Sequence, residues 1–294
     1  MCGIVGLYAK NPSISQSLGE HVAAMLVQMS ERGPDSAGVA FYSQGKGLSR
    51  VTVQDDDEAV LQTVNTAIKD SLAVENTRFR GSHLSVECQE PATDVEQWLG
   101  AQFPDLRIMS AGERIEIYKE KGHPSEFVDN YKLDDMQGTH ALGHTRMATE
   151  SAITTSHSHP FSTGLDLCLV HNGSLSNHNR LRETLRDEGI EFQTDNDSEV
   201  AAGYLTWRLS KGESLREALQ SALRDLDGFY TFAIGTRDGF AVLRDPIACK
   251  PAVLAETDDW VAMSSEYRAI AQLPGAEHAR IWEPEPAKIY TWEG

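Results

Sequence analysis

The second residue of the chain is a cysteine. Once Met1 is removed, that residue carries two reactive groups: a thiol of pKa about 8.5 and an α-amine of pKa about 7.7–8.0. The amine is partly unprotonated near neutrality and can take the thiol proton, directly or through water. An N-terminal nucleophile is paired with its own base in this way. The small cysteine side chain should permit removal of the methionine. A free buried cysteine is the plainer reading of the same residue.

Four other clusters carry groups that could serve such a nucleophile. Gly143-His144-Thr145-Arg146 closes a predicted strand. Arg146 offers a planar fork that suits a carboxylate, or equally a surface ion pair. His171-Asn172-Gly173 is also expected to end a strand. Asn172 can donate through its side-chain amide and Gly173 through a backbone N–H that nothing shields, which together would make a two-donor oxyanion hole; a simple turn is the alternative. Asp195, Asp197 and Glu199 precede an apolar helical run, where a carboxylate either caps the helix or holds a ligand ammonium. Arg32-Gly33-Pro34-Asp35-Ser36 is a helix-to-strand turn that reads as structural or functional.

These clusters need a scaffold, and the composition supplies one. The chain has 294 residues, 40% hydrophobic and 24% charged, enough for a core that excludes water from a cleft. A formal charge of −18 argues against nucleic acid and anionic membranes as partners. It fits a solvated acidic surface, or an acidic face that docks a basic subunit. The cysteines at 2, 88, 168 and 249 form no CxxC pair, so neither a zinc site nor a disulfide framework is expected, and no metal is assigned. No apolar run spans a bilayer, the first residues lack the pattern of a signal peptide, and a reducing cytoplasm is the expected location.

Ile4 to Tyr8 reads as a buried strand that enters the core almost at once, so something fixes the N-terminus. Leu18, Val22, Met25, Leu26 and Met29 recur at helical spacing and predict a helix that stops at Gly33-Pro34. Strands are expected over Ala37–Tyr42, Ala141–Thr145 and Leu165–His171, and helices over about 177–188, 198–210 and 214–225. Phe229–Ile234 and Phe240–Leu243 flank a hairpin turn. The segment from about 43 to 138 is highly charged and reads as an insertion or elaboration, with Asp55-Asp56-Asp57 opening a helix and Ile108 to Tyr118 suggesting strands. Strands and helices fall in antiparallel-compatible blocks, which favours a layered α+β fold.

The order of the motifs is specific: MCGIVG, RGPDSAG, GHTRMAT, HSHPF, VHNGSLSNHNRLR, NDSEV, DGFYTFAI and LRDPIACKPAVL. It resembles the glutaminase domain of class II glutamine amidotransferases, over most of the chain outside the insertion. The resemblance implies the four-layer αββα sandwich of N-terminal-nucleophile hydrolases, spanning 1–294 with the insertion at about 43–138. It implies Cys2 as nucleophile, with its own α-amine as base, and Asn172 and Gly173 as the oxyanion hole. Arg146 matches the clamp on the glutamine α-carboxylate, with Thr149 nearby, and Asp197, in preference to Asp195, matches the partner of the α-ammonium. His159 matches a histidine that the family places on a mobile loop near the pocket, and Arg32 an arginine supporting the cysteine. Met147 departs from the aromatic residue usual after that arginine, which puts the closing of the glutamine loop in doubt.

The segment MLVQMSERGPDSAGVAFY and the long insertion look most like the amidotransferase subunit of N-methylglutamate synthase. That resemblance implies no cofactor in this chain. It implies FMN, and allows an iron–sulfur cluster, in partner subunits of the flavin and GxGxG-repeat type. Because the chain ends at Gly294 without a recognisable synthase domain, ammonia or methylamine is expected to pass to another polypeptide. A stand-alone γ-glutamyl amidohydrolase and a non-catalytic scaffold subunit are the competing expectations.

Overall fold

The computed structural model describes residues 2–147 and 153–293. Two antiparallel sheets face each other across an apolar layer. The larger runs, in spatial order, Arg280–Trp282, Val253–Glu256, Trp260–Ser264, Gly3–Ala9, His140–Arg146, Ser36–Tyr42 and Ile115–Lys121. The smaller runs Ile289–Glu293, Gly239–Arg244, Gly228–Thr236, Leu167–Leu175 and Phe161–Gly164. Alternate residues of each strand point inward. Ile4, Leu142, Val170, Phe240, Val242 and Met263 fill the space between the sheets and are fully or almost fully buried. Each such side chain contributes about 1.5–3 kcal/mol by leaving water.

The opposite faces are covered by helices, which completes the four layers. Leu18–Gln28 lies on the larger sheet, and its apolar stripe of Leu18, Val22, Met25 and Leu26 packs with Val5, Leu7, Val39 and Ala141. Asp197–Ser210 and Leu215–Asp225 lie on the smaller sheet through Val200, Tyr204, Leu205, Leu219 and Ala222. Ser214 and Glu217 form a reciprocal capping box at the start of the latter helix. The described residues include no helix long and apolar enough to cross a membrane.

The charged segment resolves into two parts. Residues 49–112 form a separate unit, in which a sheet ordered Val74–Arg80, His83–Cys88, Ser49–Gln54, Arg107–Gly112 carries the helices Glu58–Ser71 and Ala92–Gln102 over its own apolar core. The elaboration expected at about 43–138 is therefore too wide. Ile115–Lys121 pairs with Ser36–Tyr42 along its full length, and Phe127, Tyr131 and Leu133 pack into the core under Leu18–Gln28. Strands are expected over Ile108 to Tyr118 and are found there; what the sequence did not show is that the second of them belongs to the main sheet.

The inserted unit is fastened by buried charge. The Asp166 carboxylate accepts from the backbone N–H groups of Glu113 (2.9 Å), Arg114 (2.8 Å) and Ile115 (3.1 Å), holding the turn that leads back to the sandwich. Arg50 bridges Glu87 of the insertion and Glu116 of the main sheet. Arg107–Gly112 touches both Ile115–Lys121 and Phe161–Gly164, the last strands on one side of the two large sheets.

Candidate active site

Gly3–Ala9 occupies the middle of the larger sheet, paired with Trp260–Ser264 on one side and His140–Arg146 on the other. Ser265 locks its first turn of chain: Ile4 N donates to Ser265 Oγ at 2.9 Å, and Ser265 N donates to the Ile4 carbonyl at 3.0 Å. Cys2 thus leaves a fixed backbone, the reason for the early entry of the chain into its core. Its carbonyl accepts two hydrogen bonds, from Arg32 Nε at 2.9 Å and from Asn172 Nδ2 at 3.3 Å. Arg32 is itself held by Glu266, with Nη1 to Oε1 at 2.6 Å.

The same register brings Arg146 to the cysteine. Gly3 pairs with Thr145, so Cys2 and Arg146 each stand one residue beyond that pair at the same end of the sheet. The RGPDS turn is pressed against this strand: Asp35 N donates to the Arg146 carbonyl at 3.0 Å, and Thr145 Oγ1 donates to the Met29 carbonyl at 2.9 Å. A side chain at Gly33 would overlap the backbone of Thr145 and Arg146 at about 2.3–2.5 Å. The turn's glycine is required by close approach. The helix before it ends at Gln28, earlier than the Gly33-Pro34 stop predicts, because residues 29–33 unwind into turns.

Asn172 arrives from the other sheet, and here the expected strand end is corrected. The strand runs on through Gly173 to Leu175, paired with Gly228–Thr236, so Asn-Gly is a strand interior and not a turn. Alternation sends Cys168, Val170 and Asn172 between the sheets and His171 and Gly173 toward the helices. Gly173 has φ +154°, and a Cβ there would lie 2.0 Å from the Phe229 carbonyl oxygen and 2.7 Å from His171 Nε2. Only glycine fits.

Behind Gly173 lies a buried polar network. Asn196 caps the helix Asp197–Ser210 through its side chain, leaving Asp197 free of that duty. Asp197 Oδ2 accepts from Leu175 N at 2.9 Å, and Oδ1 lies 3.3 Å from Ser198 Oγ. The same Ser198 oxygen is 2.9 Å from His171 Nδ1 and 2.8 Å from His159 Nε2. The His159 ring stacks on His144 at 4.0 Å, and His144 Nε2 lies 3.1 Å from the His171 carbonyl oxygen. Burial holds all three imidazoles neutral: His144 is pushed down to about 3, His159 well below its ordinary value, and His171 down against the opposing pull of Asp197. Asp195 points outward to His157, with Nε2 to Oδ1 at 2.9 Å, and Glu199 folds back onto the N–H groups of Gln193 and Thr194.

Lys119 fixes the segment that carries His159. Its ammonium donates to the carbonyls of Ser158 (2.9 Å), Ser156 (3.3 Å) and Pro160 (3.3 Å) and lies 4.6 Å from the centre of the Phe161 ring. Burial brings its pKa down to about 7, against the pull of Glu199.

The structure therefore brings Cys2, Arg32, Arg146 and Asn172 to one end of the sandwich, with Gly173, Asp197 and His159 around the adjoining strand. Thr149 lies outside the described residues. His144, Ser198 and Lys119 received no role from the sequence. His144 could have been found, since it shares a strand face with Arg146 two residues on; Lys119 sits in an alternation that reads as a solvated edge. Among the described residues no group of His, Cys, Asp and Glu is disposed to hold a metal ion.

A four-layer sandwich that presents a cysteine from the start of a central strand, opposite an Asn-Gly pair, defines the N-terminal-nucleophile hydrolase fold. A sequence model of the glutamine amidotransferase domain matches residues 144–272. Two relatives match along almost their whole length. The glutamine amidotransferase-like protein GlxB of Rhizobium meliloti is 52% identical, with 100% of this chain and 98% of the relative covered. A putative glutamine amidotransferase of Methanothermobacter thermautotrophicus is 30% identical, with 99% of each covered. Glutamine phosphoribosylpyrophosphate amidotransferase from B. subtilis shares the fold at TM-score 0.64 and 20% identity, covering 99% of this chain and 47% of that one. The chain belongs to the class II glutamine amidotransferase family.

Proposed function

We propose that the chain hydrolyses a γ-glutamyl amide through a Cys2 thioester and hands the released amine to a glutamate-synthase-like partner. The observation that supports this best is the contact of Asn172 Nδ2 with the Cys2 carbonyl at 3.3 Å, which puts an amide donor beside the residue that bears the sulfur. The Cys2 α-amine takes the thiol proton, and the thiolate attacks the carboxamide carbon. Charge grows on the former carbonyl oxygen, where Asn172 and the Gly173 N–H stabilise it. The C–N bond breaks, ammonia leaves with the transferred proton, and water cleaves the thioester to glutamate and free thiol. Arg146 holds the substrate α-carboxylate and Asp197 its α-ammonium. The family resemblance assigns Thr149 and His159 to substrate binding, and Arg32 fixes the cysteine backbone.

Cys2→Ala is expected to abolish glutaminase activity while glutamine still binds, as read by calorimetry; normal turnover by that variant refutes the mechanism. Intact mass of active protein should lack one methionine.

The relatives carry no partner in their names, so the partner rests on the sequence resemblance to N-methylglutamate synthase. The pocket then accepts γ-glutamylmethylamide and releases methylamine. On this reading the partner subunits hold FMN, with room for an iron–sulfur cluster beside it, and the expected outcome of purification from the host is a yellow flavoprotein in the same complex. Complete rejection of the N-methyl amide, or purification of a fully active lone chain, removes this assignment.

A further inference from the structure

The Ser198 hydroxyl stands at the junction of the buried network, within hydrogen-bond reach of two imidazoles and one carboxylate oxygen. A hydroxyl has one proton to give and two lone pairs to fill. His171 Nε2 and His159 Nδ1 are buried and have no partner among the described residues. A buried N–H without an acceptor is costly. One proton assignment avoids that cost at both rings: His171 Nδ1–H and His159 Nε2–H both donate to Ser198 Oγ, and the hydroxyl donates to Asp197 Oδ1. Both orphan nitrogens then carry lone pairs. In that arrangement Asp197 is held at each oxygen, by Leu175 N–H on one side and by the serine on the other.

We propose that Ser198 is a positioning residue for substrate recognition: it aims the Asp197 carboxylate at the α-ammonium of the γ-glutamyl substrate and ties that aim to His159 and the segment Lys119 clasps. The chain of contacts continues from His159 through the stacked His144 to the strand that ends in Arg146, so the groups assigned to the two charged ends of the substrate share one support. The inference rests on the assignment of Asp197 to the ammonium.

The test compares kcat/KM on L-γ-glutamyl-p-nitroanilide with kcat/KM on glutaryl-p-nitroanilide, the same anilide without the α-ammonium. Asp197→Asn should lower the ratio of the two values by about a hundredfold, and Ser198→Ala by about tenfold. Ser198→Cys, a poorer donor of nearly the same size, should fall between Ser198→Ala and the parent. A merely structural serine would depress both substrates together and leave the ratio alone. If Asp197→Asn lowers the ratio while neither Ser198 variant does, the positioning role is overturned. If Asp197→Asn itself leaves the ratio unchanged, the assignment beneath it fails instead.

Discussion

Acid should unfold this protein from within. His83, His140 and His144 are buried and are each pushed from 6.5 down to about 3, chiefly by loss of water around the charged form. In the unfolded chain these rings protonate as pH falls below about 6.5. Between about 6.5 and 3 the unfolded state therefore binds more protons, so the stability they contribute is complete above 6.5 and is lost on the way down. At pH 5 the gap of about 1.5 units costs roughly 2 kcal/mol for each ring, or about 6 kcal/mol for the three. That rivals the whole stability of an ordinary domain, about 5–15 kcal/mol. His159 and His171 are shifted in the same direction and add to the loss. Urea unfolding at pH 8, 7, 6 and 5 should show stability falling by at least about 4 kcal/mol per pH unit below 6, and by no more than about one proton's worth, roughly 1.4 kcal/mol, between 8 and 7, where Lys119 titrates. His140→Gln removes one titrating ring, stacked on Tyr42 at 4.2 Å and remote from Cys2 in the fold, and should shrink that slope by one proton. Equal stability at pH 8 and pH 5, or an unchanged slope in His140→Gln, refutes the reasoning.

Two further outcomes follow from single residues. Asn172→Ala should lower kcat for glutamine hydrolysis by about 10²–10³, the usual effect of losing one oxyanion donor, with little change in KM; steady-state kinetics decides it. Asp166→Ala strands three backbone N–H groups at the root of the insertion and should cost about 3 kcal/mol, read as a lower urea midpoint, with the far-UV spectrum of the folded state preserved.

Much of this architecture was legible because its signals are local. The apolar period of Leu18 to Met29 gave a helix, and Ser214 with Glu217 marks the start of another. Phe229–Ile234 and Phe240–Leu243 form the expected hairpin, closed more tightly than Gly235 to Gly239 suggests, since Thr236 pairs with Gly239 across Arg237 and Asp238. What stayed hidden depends on partners distant in sequence. Asn172-Gly173 has the chemistry of a turn, yet the partner strand Gly228–Thr236 draws it into a ladder. The role of Ser198 cannot be read from a helix start; it needs His159 and His171, 39 and 27 residues away, to meet at its oxygen. Lys119 resembles solvated charge until the carbonyls of 156–160 fold over it. Motif order named the cysteine and its companions without geometry, while the support behind them required the fold.

The placement of residues 49–112 carries one more consequence. Ile115–Lys121 and Phe161–Gly164 are the outermost strands on one side of their sheets, and Arg107–Gly112 lies against both. Outermost strands offer unpaired amides and carbonyls to any passing chain, which is how sheets recruit one another into aggregates. Excising the unit to obtain a minimal enzyme would bare both borders at once. The truncated protein should precipitate or form ladders of molecules, which light scattering of the excised variant beside the full chain would show.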